Sequence, residues 1–232
     1  TGLSMKRVVV AELLDSDAGT SREVEGSLAD LRMVNRFFGG VRTTRELLRR
    51  VAAERRLNNM SWLDVGGASG DIAAQVEQSM ARSGITCKAA ILDRAATHLN
   101  GSRSAVCGDA LAIPFRDNSF DVVASSLFVH HLEPHEVARF AREGLRVARH
   151  AFIINDLMRH PLHLALIYAG YPLYRSRLTR HDAPASVRRA YTAAEITGIL
   201  QSTGAGKVEI EVHYLFRLGA IAWKKQQPLS TT

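Results

Sequence analysis

The sequence predicts an α/β fold, a mainly parallel sheet with helices on both faces. Three observations carry that expectation. Between residues 59 and 156, short apolar runs alternate with amphipathic helical stretches, the rhythm of strands joined by crossover helices. The first run ends in a small-residue loop, "WLDVGGASGD" (62–71), that opens directly into a helix. Acids stand at or just beyond the carboxyl ends of successive runs, at Asp64, Asp93 and Asp109.

The elements follow in chain order. "SREVEGSLADLRMVNRFF" has apolar residues at helical period after a capping Ser21, and "GG" at 39 and 40 breaks it. "TTRELLRRVAAERRL" begins a second helix with Thr43 or Thr44 as cap. "MSWLDV" is the first strand, and "GDIAAQVEQSMARSG" the helix after its glycine loop. "TCKAAILD", "RSAVCGDA" and "FDVVASSLFV" are the next three strands, "EPHEVARFAREGLRVA" a helix, and "HAFIIND" the fifth strand. Residues 157–191 break the rhythm with the apolar, tyrosine-bearing "LHLALIYAGYPLY" and a polar loop. "TAAEITGILQSTG" is a further helix, and "KVEIEVHYLFRLGAIAWKK" a closing hairpin at the sheet edge. One domain of four parts results: a helical N-terminal cap (1–58), a ligand-binding core (59–156), an insertion (157–191), and a C-terminal helix and hairpin (192–232).

With 232 residues, 46% of them hydrophobic, the chain can bury one core of ordinary size. No run of about 18 uncharged apolar residues is present, so no transmembrane helix is expected. "MKRVVVAELLDSD" meets acids too soon for a secretory signal, and "TGLS" ahead of Met5 reads as a tag remnant. Cys87 and Cys107 lack metal-type spacing and read as reduced core thiols of a cytoplasmic protein. The net charge of +7 invites a nucleic-acid partner. Against it, all but five of the 30 basic residues are arginines scattered along the chain, without interleaved stacking aromatics.

The loop excludes some ligands. Counting from Gly66, a dinucleotide fingerprint needs glycines where Ala68 and Asp71 stand, and Asp71 would repel phosphate at the helix start. No Gly-Lys-Ser/Thr follows, so it is not a P-loop. A zwitterion fits better. Asp64 can take an amino group, Asp93 lies 23 residues after Gly70 where a ribose-binding acid belongs, and Asp109 can meet an adenine amino group. Each acid can instead be a loop cap.

"WLDVGGASGD", "ILDR", "CGDALAIPFRDNSFDVVASSLFVHHL" and "AREGLRVAR", in that order over residues 60–156, resemble the motifs of class I S-adenosylmethionine-dependent methyltransferases. The nearest likeness is to the small-molecule type of quinone biosynthesis. The resemblance implies a Rossmann-like methyltransferase fold with a seven-stranded, mainly parallel sheet and an antiparallel last strand. It implies S-adenosylmethionine as cofactor, held by Asp64, Gly66, Gly67, Ser69 and Gly70, by Asp93 and Arg94, by Gly108, Asp109 and Ala110, and by Ser125. The middle loop glycine of the family is Ala68 here. An alanine adds only a methyl group, and its backbone is expected to avoid a glycine-only conformation.

His130 and His131 follow the fourth strand at the edge where ligands of open α/β sheets lie, so one of them is a candidate general base. Either can instead anchor the next helix at "EPHE". A metal-assisted reaction would want acids after both the fourth and fifth strands. Asn155 and Asp156 offer the second, but "ASSLFV" offers no first, so no metal is expected. In "NRFFGGVRTT", Phe37 or Phe38 can wall the acceptor site while Arg42 and Thr43 reach the cofactor's carboxylate; an ordinary helix–helix turn is the other reading. Residues 157–191 can form a lid, a dimer contact or a membrane-surface helix. The lid is favoured, with Tyr168 and Tyr171 as pocket walls. The function expected is methyl transfer to a small apolar or aromatic acceptor, first on oxygen. The alternatives are a non-catalytic cofactor-binding partner protein and an RNA methyltransferase.

Overall fold

The structure is a computed structural model and describes residues 5–14, 19–37, 39–99 and 104–225. Seven strands form one sheet in the order β3-β2-β1-β4-β5-β7-β6. They are β1 (Asn59–Val65), β2 (Thr86–Asp93), β3 (Ala105–Cys107), β4 (Phe120–Ser126), β5 (Ala148–Leu157), β6 (Lys207–His213) and β7 (Arg217–Trp223). The first five pair in parallel, and β7 runs antiparallel to both β5 and β6. The expected seven-stranded sheet is thus present, with one refinement. The closing hairpin does not simply extend the edge: β7 enters beside β5 and leaves β6 outermost.

Among the described residues, seven α-helices complete the fold: α1 (Ser21–Phe37), α2 (Gly40–Arg55), α3 (Asp71–Ala81), α4 (Pro134–Val147), α5 (Pro161–Ala169), α6 (Arg177–Arg189) and α7 (Ala193–Gln201). Strand alternation sends successive side chains to opposite faces. Trp62, Val122, Ala124, Ala151, Ile153 and Ile221 join the core under α2 and α3. Leu63, Val65, Val123, Phe152, Ile154 and Ala220 join the core under α4 and α7. Leu47, Leu48 and Val51 hold α2 to its face, each fully buried side chain contributing about 1.5–3 kcal/mol. The same alternation aims Asp64, Ser126 and Asn155 towards α2, and Ser125 and Asp156 towards the other face.

Three local expectations are corrected. Neither Thr43 nor Thr44 caps α2, because the helix already starts at Gly40, with Gly39 as its cap at φ 88 and both threonines buried inside it. The first helix is capped by Thr20 rather than Ser21: the Thr20 Oγ1 accepts from the Glu23 amide, and Glu23 reaches back to the Thr20 amide. Of the two thiols only Cys87 is buried. Cys107 is exposed, its Sγ donating to the Arg94 carbonyl, because β3 is a short edge strand.

Candidate active site

The loop after β1 carries the first half of the site. Gly66 and Gly70 sit at φ 72 and φ 76, turning the chain from strand to helix. At Gly67 the restriction is space, since a Cβ would lie 2.9 Å from Asp64 Oδ2. Ala68 also takes a left-handed conformation, φ 45, contrary to the expectation that an alanine there would avoid one. Its amide donates to Asp93 Oδ2 at 3.0 Å, which ties the loop to the end of β2. The other Asp93 oxygen accepts from the Ala95 amide.

Asp64 is the electrostatic anomaly of this half. It is buried, and among the described residues neither carboxylate oxygen has a hydrogen-bond partner. Burial, with a smaller push from Asp93, raises its carboxyl to about 7. The buried Ser125 Oγ is likewise without a partner. Buried polar groups are normally satisfied, so orphans at the carboxyl ends of β1 and β4 point to a missing polar ligand. A zwitterion's ammonium fits Asp64. The amino-acid tail and nucleoside of S-adenosylmethionine therefore suit the donors and acceptors present. Asp109 is exposed and accepts from the Leu111 amide; Gly108 packs close to Leu92 and Pro114, and Ala110 is in the core. Ser69 and Arg94 are exposed, Ser69 bonding to Asp71.

The start of α2 is fastened to the strand ends beside this loop. Thr44 Oγ1 meets Ser126 Oγ at 3.0 Å and accepts from Asn155 Nδ2 at 2.8 Å, while Asn155 also donates to the Gly40 carbonyl. Thr43 is buried next to Gly39, but Arg42 points outward into an ion pair with Glu46. Phe38 and the Phe37 side chain lie outside the described residues.

The second half lies beyond β4 and β5. His130 and His131 end a short 3-10 turn, Val129–His131. His130 Nδ1 lies 2.7 Å from Asp156 Oδ1, and the His130 amide donates to Asp156 Oδ2. On its other side, His130 Nε2 stands 3.6 Å from Glu12 Oε1. Burial opposes the imidazolium, but Asp156 and Glu12 outweigh it and lift His130 to about 9. Burial likewise pushes Asp156 up, and His130 with two backbone amides brings it below the usual carboxylate range. His131 is tilted against His130 with ring centroids 4.2 Å apart, its Nε2 3.9 Å from Glu12 Oε2.

Glu12 belongs to a strap, Met5–Leu14, that crosses this end of the sheet. Arg7 binds the Arg189 and Leu132 carbonyls and Glu133, and the Leu13 and Leu14 amides donate to Asp182. Ser186 of α6 donates to Glu12 Oε1 at 2.8 Å. On α1, Asp30 accepts from the Arg175 and Ser176 amides and from Thr179, so α1 and α6 form one roof. Tyr168 sits at the surface, accepting from Arg188, and Tyr171 donates to the Arg180 carbonyl. Nothing in the sequence singles out Glu12, and Asp156 stands out there only as a possible metal ligand. Asp156 carried a signal in its place at the end of β5; Glu12, alone in an apolar run, carried none.

A parallel sheet with one reversed strand, a glycine loop at the end of β1 and acids at consecutive strand ends are the frame of a class I methyltransferase. Residues 63–152, from β1 into β5, match the family described as a methyltransferase domain. This stretch is such a domain, the core of an enzyme, and S-adenosylmethionine is the cofactor it implies. Among solved structures, the chain is similar to a putative S-adenosylmethionine-dependent methyltransferase of Methanococcus maripaludis. They share 14% identity over 91% of this chain and 97% of that one, with a TM-score of 0.57. It is also similar to an S-adenosylmethionine-dependent methyltransferase of Aquifex aeolicus (19% identity, 71% and 81% covered, TM-score 0.51). A third is a putative O-methyltransferase of Nostoc punctiforme (15%, 78% and 56%, TM-score 0.54). At these identities the likeness is one of fold. No curated protein matches by sequence. Among the described residues, no helix is long and apolar enough to cross a membrane.

Proposed function

We propose that this chain transfers a methyl group from S-adenosylmethionine to the oxygen of a small apolar or aromatic acceptor. The cofactor supplies an electrophilic methyl on a sulfonium, whose sulfur keeps the bonding electron pair when the methyl leaves. Asp64 is the partner for its ammonium, Gly66, Gly67 and Gly70 let its tail approach the backbone, and Asp93 and Asp109 take the ribose and the adenine amino group. Ser69, Arg94 and Gly108 line the same cleft, Ser125 meets it from the other face of the sheet, and Ala110 backs it from the core. Thr43 and Arg42 are kept as neighbours of the carboxylate; for Arg42 this requires release of Glu46.

The observation that carries the choice of oxygen is the imidazole pair beyond β4, with His130 fixed between Asp156 and Glu12. A hydroxyl acceptor must lose its proton as oxygen attacks the methyl, whereas the fold itself does not select the atom. A putative O-methyltransferase and the CMeT domain of the citrinin polyketide synthase both resemble this chain in fold. His131 receives that proton, because His130, held between two acids, already carries one, and strap and α6 keep water from the acceptor. In-line alignment in such a dry cleft supplies most of the rate. Residues 157–191 act as lid, with Tyr168 and Tyr171 reaching the acceptor only on closure; Phe37 and Phe38 extend the opposite wall.

The test is turnover by the full chain with labelled S-adenosylmethionine on a panel of phenols, aromatic amines, activated carbon acids and structured RNA. Oxygen-methylated phenols identified by mass spectrometry are the expected products. Transfer confined to nitrogen, carbon or RNA would overturn the choice of oxygen. Binding of the cofactor with no transfer to any acceptor would favour the partner-protein alternative.

A further inference from the structure

Glu12, His130 and His131 each present one ligand atom, and these atoms all lie within 4.8 Å of one another. From this geometry we infer a site for a divalent first-row transition metal of the zinc type, with Glu12 and the Nε2 atoms of His130 and His131 as ligands.

Four features of the cluster support it. The donor set, two imidazoles and one carboxylate, suits zinc or its neighbours and not the all-oxygen shells of magnesium or calcium. The separations of 3.6 Å and 3.9 Å between Glu12 oxygens and the two Nε2 atoms exceed ordinary hydrogen bonds. Around one tetrahedral ion with bonds of 2.0–2.1 Å, such atoms stand about 3.3 Å apart. With the ligand atoms up to 4.8 Å apart, binding requires the side chains to draw in by as much as about 1.5 Å.

The outer contacts are also those of a metal centre. His130 Nδ1 is held 2.7 Å from Asp156 Oδ1, which leaves Nε2 facing Glu12. Ligating histidines typically give their second nitrogen to a carboxylate in this way, and ligating carboxylates are themselves hydrogen-bonded. Here Ser186 donates to Glu12 Oε1. Asp156 is in turn fixed by the His130 and Leu157 amides. The acid that β4 fails to provide is brought instead by the strap, more than a hundred residues away in sequence, so a search of strand ends alone misses the set.

Three protein ligands leave at least one position for water or an acceptor oxygen; an ion bound there would take over from His131 the task of easing deprotonation of the hydroxyl, and only that role rests on the methyl-transfer reading above. Binding by itself does not. The experiment is titration of the chelator-stripped full chain with Co(II), followed by its visible d–d absorption, and with Zn(II) by calorimetry. One ion per chain is expected, with a spectrum of four or five ligands including imidazole. Glu12→Gln and His131→Ala should each abolish the spectrum while far-ultraviolet circular dichroism stays unchanged. Asp156→Asn should weaken binding by about 10–100-fold. His150→Ala, at a histidine beside Asp121 away from the cluster, should leave binding unaltered. No stoichiometric binding of either ion, or binding unaffected by Glu12→Gln and His131→Ala, would overturn the site. Metal binding without methyl transfer would keep the site and sink the reading of the reaction; transfer without metal binding would do the reverse.

Discussion

The two halves of the cleft solve opposite electrostatic problems. At the end proposed to hold the cofactor, Asp64 is a buried acid with no counter-charge among the described residues, its carboxyl lifted to about 7 by burial and by Asp93. At the end proposed to meet the acceptor, Asp156 is just as buried, yet His130 and backbone amides overcome the burial and hold it below the usual range. One end stores an unmet demand for a cation; the other carries its cation already. A site that must bind and release a charged ligand each turnover keeps its acid unpaired, whereas a site that positions groups for chemistry fixes them permanently. The difference also separates binding energy from stability, and each prediction below acts on one side.

The largest effect is expected at the acceptor end. Asp156→Ala leaves His130 as a buried charge facing only Glu12, and breaking a buried pair in this way costs about 3–5 kcal/mol. Urea denaturation of the variant should show that loss. An unchanged midpoint would mean that the pair is not formed in the folded protein.

The corresponding change at the cofactor end should act on affinity instead. Asp64→Asn removes one charge-assisted contact, worth about 1.5–3 kcal/mol, so S-adenosylmethionine should bind at least about tenfold more weakly. Stability should not fall with it. Asp93→Ala is expected to weaken cofactor binding to a similar degree, with some loosening of the loop because the Ala68 amide loses its acceptor. Calorimetry and thermal melting of both variants separate the two quantities.

Acidity gives the next handle. The Asp64 carboxyl titrates near 7 in the fold and near 3.9 in the unfolded chain, so between those values the folded state binds more protons. Stability of the ligand-free protein should therefore drop as pH rises from about 4 to about 7, with this contribution fully lost above 7. Cofactor affinity should run the other way, because the ammonium needs the ionised acid: it should decline as pH falls below about 7. Asp64→Asn should flatten both slopes. A cofactor affinity independent of pH in the native chain would remove Asp64 from the binding role.

The smallest effect belongs to the loop. Ala68 in its left-handed conformation costs about 1–2 kcal/mol, part of which Ala68→Gly returns as flexibility in the unfolded chain. A gain of about 1 kcal/mol or less in stability is expected, with unchanged cofactor affinity. A loss would show that the alanine methyl packs usefully.

Much of this was legible in the residues. The alternation of "WLDV", "AAILD", "VVASS" and "AFIIND" with amphipathic helices fixes strands, faces and parallel order, because burial on both sides of a sheet needs such runs. The loop from Asp64 to Gly70 is written in contiguous sequence, since a tight strand-to-helix turn is a local steric problem. The helix starts were misread for a related reason. Gly39 can adopt φ 88 and begin α2 early, and Thr43 and Thr44, good caps in isolation, are more valuable buried among Gly39, Ser126 and Asn155.

By itself, then, the sequence determined the α/β sheet, the glycine loop and the acids at the ends of its strands, all properties of short windows in which hydrophobic period and backbone sterics decide. Only the tertiary structure decided the acceptor end. Glu12, His130, Asp156 and Ser186 come from four separate elements, and nothing near any one of them in sequence signals the other three. What brings them together is the packing of strap and α6 over the ends of β4 and β5, and the need of each buried charge for an opposite one.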